Sequence, residues 1–239
     1  MAKGKFDDFV APILFAILAF VSSKIINIIK KDLHGLQQSP TPSYAYPSSN
    51  TPSRLNTTVT ENFLQDESQL LSLQNKAVWQ DCLDMNGGWI DKGAPTSNVW
   101  EELAHKIWMP EAEYYDLAVG FEYWCHILTP GRELPWHIDK DEFDYSKHGN
   151  LVYPIMGSVY YGFDHTFEGG YLETIDADIE QHPMHYINTR PNEIVRTKAE
   201  FNRKILFNAT LWHHVSEVFS GERFVLAVNA WASRPLKFD

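Results

Sequence analysis

The stretch that decides the fold is LWHHVSEVFSGERFVLAVNAW, residues 211–231, in which two adjacent histidines precede a run of mostly apolar side chains. The run Arg223–Trp231 predicts a β-strand, because β-branched and aromatic residues favour strands. Five more runs of this kind follow position 110 and are separated by Gly, Pro, Asn and Asp: Leu117–Leu128, Leu151–Phe163, Tyr171–Ile175, Glu193–Thr197 and Lys204–Phe207. Such a series of short strands predicts a sandwich or a barrel.

Helices are predicted before these strands. The segment from Asn62 to Met85 suggests one helix, and a clearer one begins at Asn98, which fits a capping box with Glu101. Apolar residues then recur at helical spacing as far as Trp108. Helices followed by closely spaced strands predict an α+β domain. The sequence has no glycine-rich loop of the dinucleotide or Walker type, so a nucleotide-binding fold lacks its usual support.

The N-terminal part differs in composition from the rest. Phe9–Val21 is an unbroken apolar run that reaches Ile29 only if Lys24 is included, whereas a bilayer core needs about 20 apolar residues. We expect residues 1–31 to form a hydrophobic segment that anchors the protein in a membrane through residues 9–29, in an orientation that the lysines leave open. A secretory signal, or a helix packed on the protein or on a partner, is the alternative, and the protein is then secreted or soluble.

Residues 32–60 are rich in Ser, Thr and Pro and have few aliphatic side chains. Such a segment buries too little apolar surface to order itself, so we expect a flexible linker. It contains the glycosylation sequon Asn56-Thr57-Thr58, which is relevant only if this part of the chain faces a secretory lumen. The folded domain is therefore expected at residues 61–239.

Charge and cysteine content exclude two classes of function. The chain has 20 Lys and Arg against 31 Asp and Glu, a net charge of −11, which argues against binding to nucleic acid. The two cysteines, Cys82 and Cys125, include no Cys-x-x-Cys pair. We therefore expect neither a disulfide framework nor a thiolate zinc site.

A candidate metal site lies in Pro135-Trp136-His137-Ile138-Asp139, the only His-x-Asp sequence in the chain. Residues two apart on a strand point to the same side, so His137 and Asp139 are able to face one point. His213 or His214 supplies a third ligand, and because the two are adjacent only one of them faces the metal. Two histidines and one carboxylate form the facial triad of non-haem Fe(II) oxygenases.

The order of motifs is more specific than the triad alone. His137 and Asp139 precede Gly169-Gly170-Tyr171-Leu172, and His213 precedes Arg223 by ten positions. This pattern resembles the 2-oxoglutarate and Fe(II)-dependent dioxygenase superfamily, and more closely its prolyl-4-hydroxylase-like branch. The resemblance covers about residues 117–231. It implies a double-stranded β-helix, or jelly-roll, core with flanking N-terminal helices.

The resemblance also implies a role for each site residue. His137, Asp139 and His213 bind Fe(II) and are the catalytic residues. Arg223 pairs with the distal carboxylate of 2-oxoglutarate, since a guanidinium binds a carboxylate through two parallel hydrogen bonds. The implied cofactors are Fe(II), 2-oxoglutarate and O2, with ascorbate as an accessory.

A tyrosine hydroxyl is expected beside the co-substrate, and the candidates are Tyr153, Tyr160 and Tyr161. Tyr160 and Tyr161 face opposite sides if they lie on a strand, and Tyr160 is the residue that we predict. The remaining contacts with the co-substrate stay open, because Leu128 lies near the place where the family often has a tyrosine.

The implied function is oxidative decarboxylation of 2-oxoglutarate coupled to hydroxylation of a peptide, possibly prolyl, or of a small molecule. Two alternatives stay open. One is a cupin-type metal enzyme without a keto-acid co-substrate, against which Arg223 argues. The other is a membrane-tethered jelly-roll module that binds without catalysis. The sequence does not decide the oligomeric state.

Overall fold

Helices precede most of the strands in the computed structural model of the protein, which describes residues 57–164, 166–177 and 182–239. The α-helices of these residues are α1 (Glu67–Ser72), α2 (Lys76–Asp84), α3 (Val99–Trp108), α4 (Ala112–Leu117), α5 (Glu142–His148) and α6 (Pro183–Thr189). Their strands are β1 (Thr58–Thr60), β2 (Gly88–Asp91), β3 (Gly120–Leu128), β4 (Leu134–His137), β5 (Met156–Tyr161), β6 (Glu168–Gly169), β7 (Leu172–Thr174), β8 (Val195–Thr197), β9 (Arg203–Phe207), β10 (His213–Val215), β11 (Val218–Ser220) and β12 (Arg223–Trp231). Pro191–Glu193 and Leu236–Phe238 are short 3₁₀ helices.

The strands form antiparallel sheets. The large sheet has the order β1-β9-β5-β12-β3-β2, the small sheet has the order β4-β10-β7-β8, and β6 pairs with β11. Strand β12 lies between β3 and β5 and pairs with β3 along its whole length, from Arg223 opposite Leu128 to Trp231 opposite Gly120. The expected combination of helices and sheets is therefore confirmed, and it is antiparallel throughout the described residues.

Two core clusters lie on opposite faces of the large sheet, and β12 contributes to both because its side chains alternate. Phe224, Leu226, Val228 and Ala230 pack with the helices α1 to α3 in one cluster. Val225 and Ala227 belong to the second cluster, which includes residues of the large sheet and Leu172 of the small sheet. Arg223 and Asn229 share the face of Val225, so the inner face of the large sheet carries polar side chains as well as apolar ones.

The predicted elements differ from the observed ones mainly at their ends. Asn98 caps α3 as expected, since its side chain accepts hydrogen bonds from the N–H groups of Trp100 and Glu101. The segment predicted as one helix over 62–85 forms two helices. The first ends at Ser72, and Asn75 caps the second, α2. The last three residues of the predicted linker form β1, which pairs with β9. The ordered chain thus begins before residue 61.

The two cysteines form a disulfide, contrary to the expectation that they would not build a disulfide framework. Cys82 on α2 is bonded to Cys125 on β3, across 43 positions of sequence. The helix and the strand belong to the same core cluster, which brings together two residues that the sequence alone does not pair. The disulfide fixes α2 against the large sheet.

The predicted membrane anchor at residues 9–29 and most of the predicted linker lie outside the described residues. Among residues 57–164, 166–177 and 182–239, no helix has both the length and the apolar character needed to cross a bilayer.

Candidate metal centre

His137, Asp139 and His213 converge where the small sheet brings two strand ends together. His137 is the last residue of β4, and His213 is the first residue of β10, directly opposite it in register. Asp139 follows β4, and its Oδ1 lies 3.7 Å from His137 Nε2 and 3.6 Å from His213 Nε2. One ligand atom from each residue lies within 4.8 Å of the others. This spacing suits a single metal ion held by three side chains.

The backbone orients both imidazoles toward the common point. His137 Nδ1 donates to the carbonyl of Pro135 at 2.7 Å, and His213 Nδ1 donates to the carbonyl of Leu211 at 2.9 Å. A carbonyl only accepts hydrogen bonds, so the proton of each neutral ring sits on Nδ1. The Nε2 lone pairs that face Asp139 are therefore available for a metal.

Asp139 is held by two contacts from different elements. Its backbone N–H donates to the carbonyl of Ala209 at 2.9 Å, and Asn229 Nδ2 donates to Asp139 Oδ2 at 2.9 Å. Asn229 belongs to β12 and is buried. The sequence interpretation missed Asn229 as a site residue, although its place on the same face of β12 as Arg223 was a usable signal.

The protonation states also suit a cation. Burial lowers the pKa of His137, and the neighbouring His213 lowers it further. Burial alone would raise the pKa of Asp139, but His213, His137 and Asn229 outweigh it and hold that pKa below its ordinary value. A neutral His137 beside an ionised Asp139 is the form that binds a divalent metal. Two imidazoles and one carboxylate are the donor set of the non-haem iron facial triad.

Arg223 is almost completely buried, with 1 % of its surface exposed. Its Nε donates to the carbonyl of Gly170 at 2.9 Å, and its Nη2 donates to the hydroxyl of Tyr161 at 2.9 Å. Its Nη1 has no hydrogen-bond partner in the described part of the chain. A buried donor that stays unpaired costs about 1–3 kcal/mol, or more when it is charged, so this position is suited to an anionic ligand.

In the Gly-Gly-x-Leu motif, Gly170 makes room for Arg223 and Gly169 makes room for the carbonyl of Glu217. Gly170 has a φ of +64°, and a Cβ at this position would lie 2.6 Å from Arg223 Cδ. Gly169 has a φ of +83°, and a Cβ there would lie 2.1 Å from the carbonyl oxygen of Glu217. Both positions therefore require glycine for backbone conformation and for space.

The predicted tyrosine needs a correction. Tyr160 packs in the cluster on the helix side of the large sheet, where burial raises its pKa and its hydroxyl donates to Asn202 Oδ1 at 3.0 Å. Tyr161 points to the inner face and contacts Arg223, whose guanidinium lies 5.0 Å from its ring. The alternation of the strand was foreseen, but Tyr161 and not Tyr160 is the residue on the side of Arg223.

The structure also separates the two adjacent histidines. His214 Nε2 lies 2.7 Å from Glu173 Oε2, and its ring lies 4.2 Å from the ring of Trp136. His214 is therefore turned to the opposite side of β10 from His213. The structure brings His213, and not His214, to His137 and Asp139.

A cavity of about 440 Å³ opens beside two of the three ligands, His137 and Asp139. Its wall includes Glu122 and His126 of β3, whereas Arg223 and Tyr161 do not line it. Burial and the nearby Asp139 raise the pKa of Glu122 to about 7. Burial lowers the pKa of His126, and the charges of Arg223 and His137 lower it further.

Solved structures with a similar fold include one with iron bound. HygX from Streptomyces hygroscopicus with iron bound aligns with a TM-score of 0.50 and 14% identity, over 74% of this chain and 83% of that one. A Pseudomonas putida prolyl-4-hydroxylase aligns with a TM-score of 0.49 and 16% identity, over 73% and 85% of the two chains. The viral collagen prolyl hydroxylase from Paramecium Bursaria Chlorella virus-1 aligns with a TM-score of 0.45 and 16% identity, over 73% and 95%.

No family model matches the chain, and no curated protein matches it. At these identities the structural likeness concerns the fold. The HygX alignment therefore supports the expected architecture at the level of the fold.

Proposed function

We propose that this protein is a 2-oxoglutarate and Fe(II)-dependent dioxygenase that hydroxylates its substrate. The observation that carries the proposal is the combination of a His-Asp-His cluster with a buried arginine whose Nη1 lacks a partner among the described residues. A metal explains the first feature, and a carboxylate co-substrate explains the second. HygX, which shares the fold, has been solved with iron bound. The two larger sheets correspond in this proposal to a double-stranded β-helix.

One set of residues binds the metal in this proposal, and another set binds the co-substrate. His137, Asp139 and His213 hold Fe(II) through Nε2, a carboxylate oxygen and Nε2, which leaves the remaining coordination positions for 2-oxoglutarate and dioxygen. Arg223 Nη1 donates to the distal carboxylate of 2-oxoglutarate, and Tyr161 keeps the guanidinium in place through its hydrogen bond with Nη2. A guanidinium held in this way fixes the direction of the contact as well as supplying a charge.

The iron and the keto acid supply the oxidative chemistry when they are bound. In the balanced reaction, dioxygen, 2-oxoglutarate and a substrate C–H bond give succinate, carbon dioxide and a C–OH group. One oxygen atom enters succinate and the other enters the product. The protein contributes position: Asn229 holds the free oxygen of Asp139, and the Pro135 and Leu211 carbonyls fix the two imidazoles.

Anaerobic titration tests this function without knowledge of the substrate. Fe(II) and then 2-oxoglutarate are added to metal-free protein while the visible spectrum is recorded. We expect a charge-transfer band that requires both additions, that is lost in His137→Ala and His213→Ala, and that forms with weaker 2-oxoglutarate affinity in Arg223→Leu. His148→Ala is the matched control, because His148 is exposed and pairs only with Asp144 in the described structure.

The same titration separates the alternative of a metal enzyme without a keto acid. Folded, iron-loaded protein that gives no band with 2-oxoglutarate would move the assignment to a cupin-type enzyme or to a binding module. The adjacent pair of histidines gives a further check. His214→Gln should keep the band, because His214 contacts Glu173 and faces away from the triad.

We also infer that the domain works in an oxidising compartment, as the disulfide between α2 and β3 supports. Disulfides persist in secreted proteins and in secretory lumens and are rare in the cytosol. The sequon at Asn56 provides the test, since glycosylation in a eukaryotic host requires lumenal exposure. We expect a glycan that Asn56→Gln removes; a full chain that reaches the cytosol with both thiols reduced would contradict the inference.

A further inference from the structure

We propose that the cavity beside the triad binds the hydroxylation substrate, and that this substrate is a neutral polyhydroxylated small molecule of about two sugar rings. The proposal rests on the proposed function for its chemistry, but it is argued from the wall of the cavity. The volume of about 440 Å³ lies within the range of about 300–1,000 Å³ that is common for small-molecule sites. His137 and Asp139 line the cavity, so a molecule bound there lies next to the metal.

One wall is a polar row on β3. Glu122, Trp124 and His126 are two residues apart, so their side chains share the inner face of the strand, and all three line the cavity. The intervening Phe121, Tyr123 and Cys125 pack in the core on the helix side. The row spans about 13 Å at about 3.4 Å per residue, with an aromatic side chain between two hydrogen-bonding groups. This arrangement suits an elongated molecule with polar ends and a C–H face.

The tautomer of His126 is fixed by its neighbour. Trp124 Nε1 carries a hydrogen and donates to His126 Nε2 at 3.0 Å. A neutral imidazole that accepts at Nε2 carries its proton on Nδ1. His126 Nδ1 makes no hydrogen bond to any residue that the structure describes. His126 therefore offers a hydrogen-bond donor to a ligand in the cavity.

The other polar groups of the wall are already engaged. Lys140 Nζ donates to Glu142 at 2.6 Å, Lys237 Nζ donates to the carbonyl of Asn86 at 2.7 Å, and the Asn229 amide donates to Asp139. Glu122 lies near the charge of Lys237 and the Trp231 indole, and it is the acidic group of the inner wall that no metal role occupies. A ligand thus meets an acidic group at one end of the row and a donor at the other.

The charges in the wall favour a neutral ligand. Besides the triad residues, the wall carries two acidic groups, Glu122 and Glu142, and two basic groups, Lys140 and Lys237, so it has no excess of either sign to select an anion or a cation. A hydroxyl group both donates and accepts, so it is able to bind Glu122 and His126 alike. A prolyl side chain has no donor for Glu122. The face of Trp124 is suited to the C–H face of a sugar ring, as aromatic side chains combine a large apolar surface with a polar edge.

The test uses ligand-observed NMR with a panel of mono- and disaccharides that includes trehalose and sucrose, and with acetyl-Pro-Pro-Gly-amide and cyclohexylamine as comparison probes. Saturation transfer reports binding without any metal, so it remains informative if the metal site fails. Paramagnetic broadening with Mn(II), compared with Zn(II), then reports whether the bound probe lies beside the triad. We expect saturation transfer and Mn(II) broadening for at least one saccharide.

Variants assign the binding to the wall. Glu122→Gln should weaken saccharide binding about tenfold, as for loss of a hydrogen bond to a charged group, while the charge-transfer band with Fe(II) and 2-oxoglutarate persists. Glu133→Gln, an exposed position outside the cavity, is the matched control. The proposal is overturned if no saccharide binds, if Mn(II) broadens only the prolyl peptide or the amine, or if Glu122→Gln leaves saccharide binding unchanged. Loss of the charge-transfer band in the wild type would instead contradict the proposed function.

Discussion

Substitution of Glu122 by Gln should stabilise the metal-free protein above neutral pH and leave it nearly unchanged in acid. Burial, and after it the charge of Asp139, raises the pKa of this carboxyl from 4.5 to about 7 in the folded protein. The folded state therefore holds more protons than the unfolded state between these two values. Below pH 4.5 Glu122 is protonated in both states, so its ionisation does not lower the free energy of unfolding. As the pH rises from 4.5 through 7, ionisation in the unfolded state lowers the free energy of unfolding.

The size of the effect follows from the same two values. At 1.36 kcal/mol for each tenfold change in the acid dissociation constant, the difference corresponds to about 3 kcal/mol at pH 8. Glu122 is only partly buried by surface area, so about 2–3 kcal/mol is the expected gain for Glu122→Gln. For a domain of this size that gain corresponds to about 4–12 °C in Tm.

Urea unfolding of metal-free protein, followed by tryptophan fluorescence between pH 4 and 8, measures the difference directly. Asp139 is present in both proteins, so the difference reports Glu122 together with its repulsion by Asp139, and Glu133→Gln controls for a change of surface charge. The reasoning is refuted if Glu122→Gln is no more stable than the wild type at pH 8, or if its advantage does not depend on pH. Saturating Zn(II) should reduce the advantage, because a cation on Asp139 offsets its repulsion of Glu122.

Three further outcomes follow from the described contacts. Gly170→Ala should displace Arg223 and lower 2-oxoglutarate turnover, because a displacement of about 1 Å can cost on the order of a hundredfold in rate. Fe(II) affinity, measured by anaerobic titration, should be unchanged. Asn229→Ala removes the 2.9 Å hydrogen bond to Asp139 and should weaken Fe(II) binding about 10–100-fold; unchanged affinity would show that the amide does not position the ligand. Reduction of the Cys82–Cys125 disulfide, which spans 43 positions, should lower the free energy of unfolding by up to about 4 kcal/mol, and equal urea midpoints with and without reductant would contradict this.

Local patterns in the sequence were sufficient for the long elements. Strand β12 was predicted with its observed bounds, because nine residues of strand-forming character need no distant partner to be recognised. The start of α3 was predicted from the cap at Asn98. By contrast, β1, β4 and β10 have three or four residues each. Such strands are defined by the strands with which they pair, and this pairing is not a local property of the sequence.

The candidate site was likewise predicted only where local sequence patterns were sufficient. Residue spacing was enough to place His137 and Asp139 on one side of a strand, and the resemblance to the oxygenase pattern selected His213 over His214. Alternation also separated Tyr160 from Tyr161, but it did not say which face of β5 is the inner one. That choice depends on which face of the sheet the helices cover, and the apolar residues of α1 to α3 decide it. The disulfide was missed because its pairing also depends on how the helices pack on the large sheet.

Arg223 and Glu122 occupy positions that apolar side chains would fill at lower free energy. They lie on the inner faces of adjacent strands, where Val225 and Ala227 show what a purely structural position carries. Arg223 buries an Nη1 that the described residues leave without a partner, and Glu122 is ionised only with difficulty. Buried charged side chains that lower stability usually occur at functional sites. A carboxylate ligand would relieve Arg223 and a hydroxyl ligand would pair with Glu122, so each of the two departures marks a position suited to a ligand.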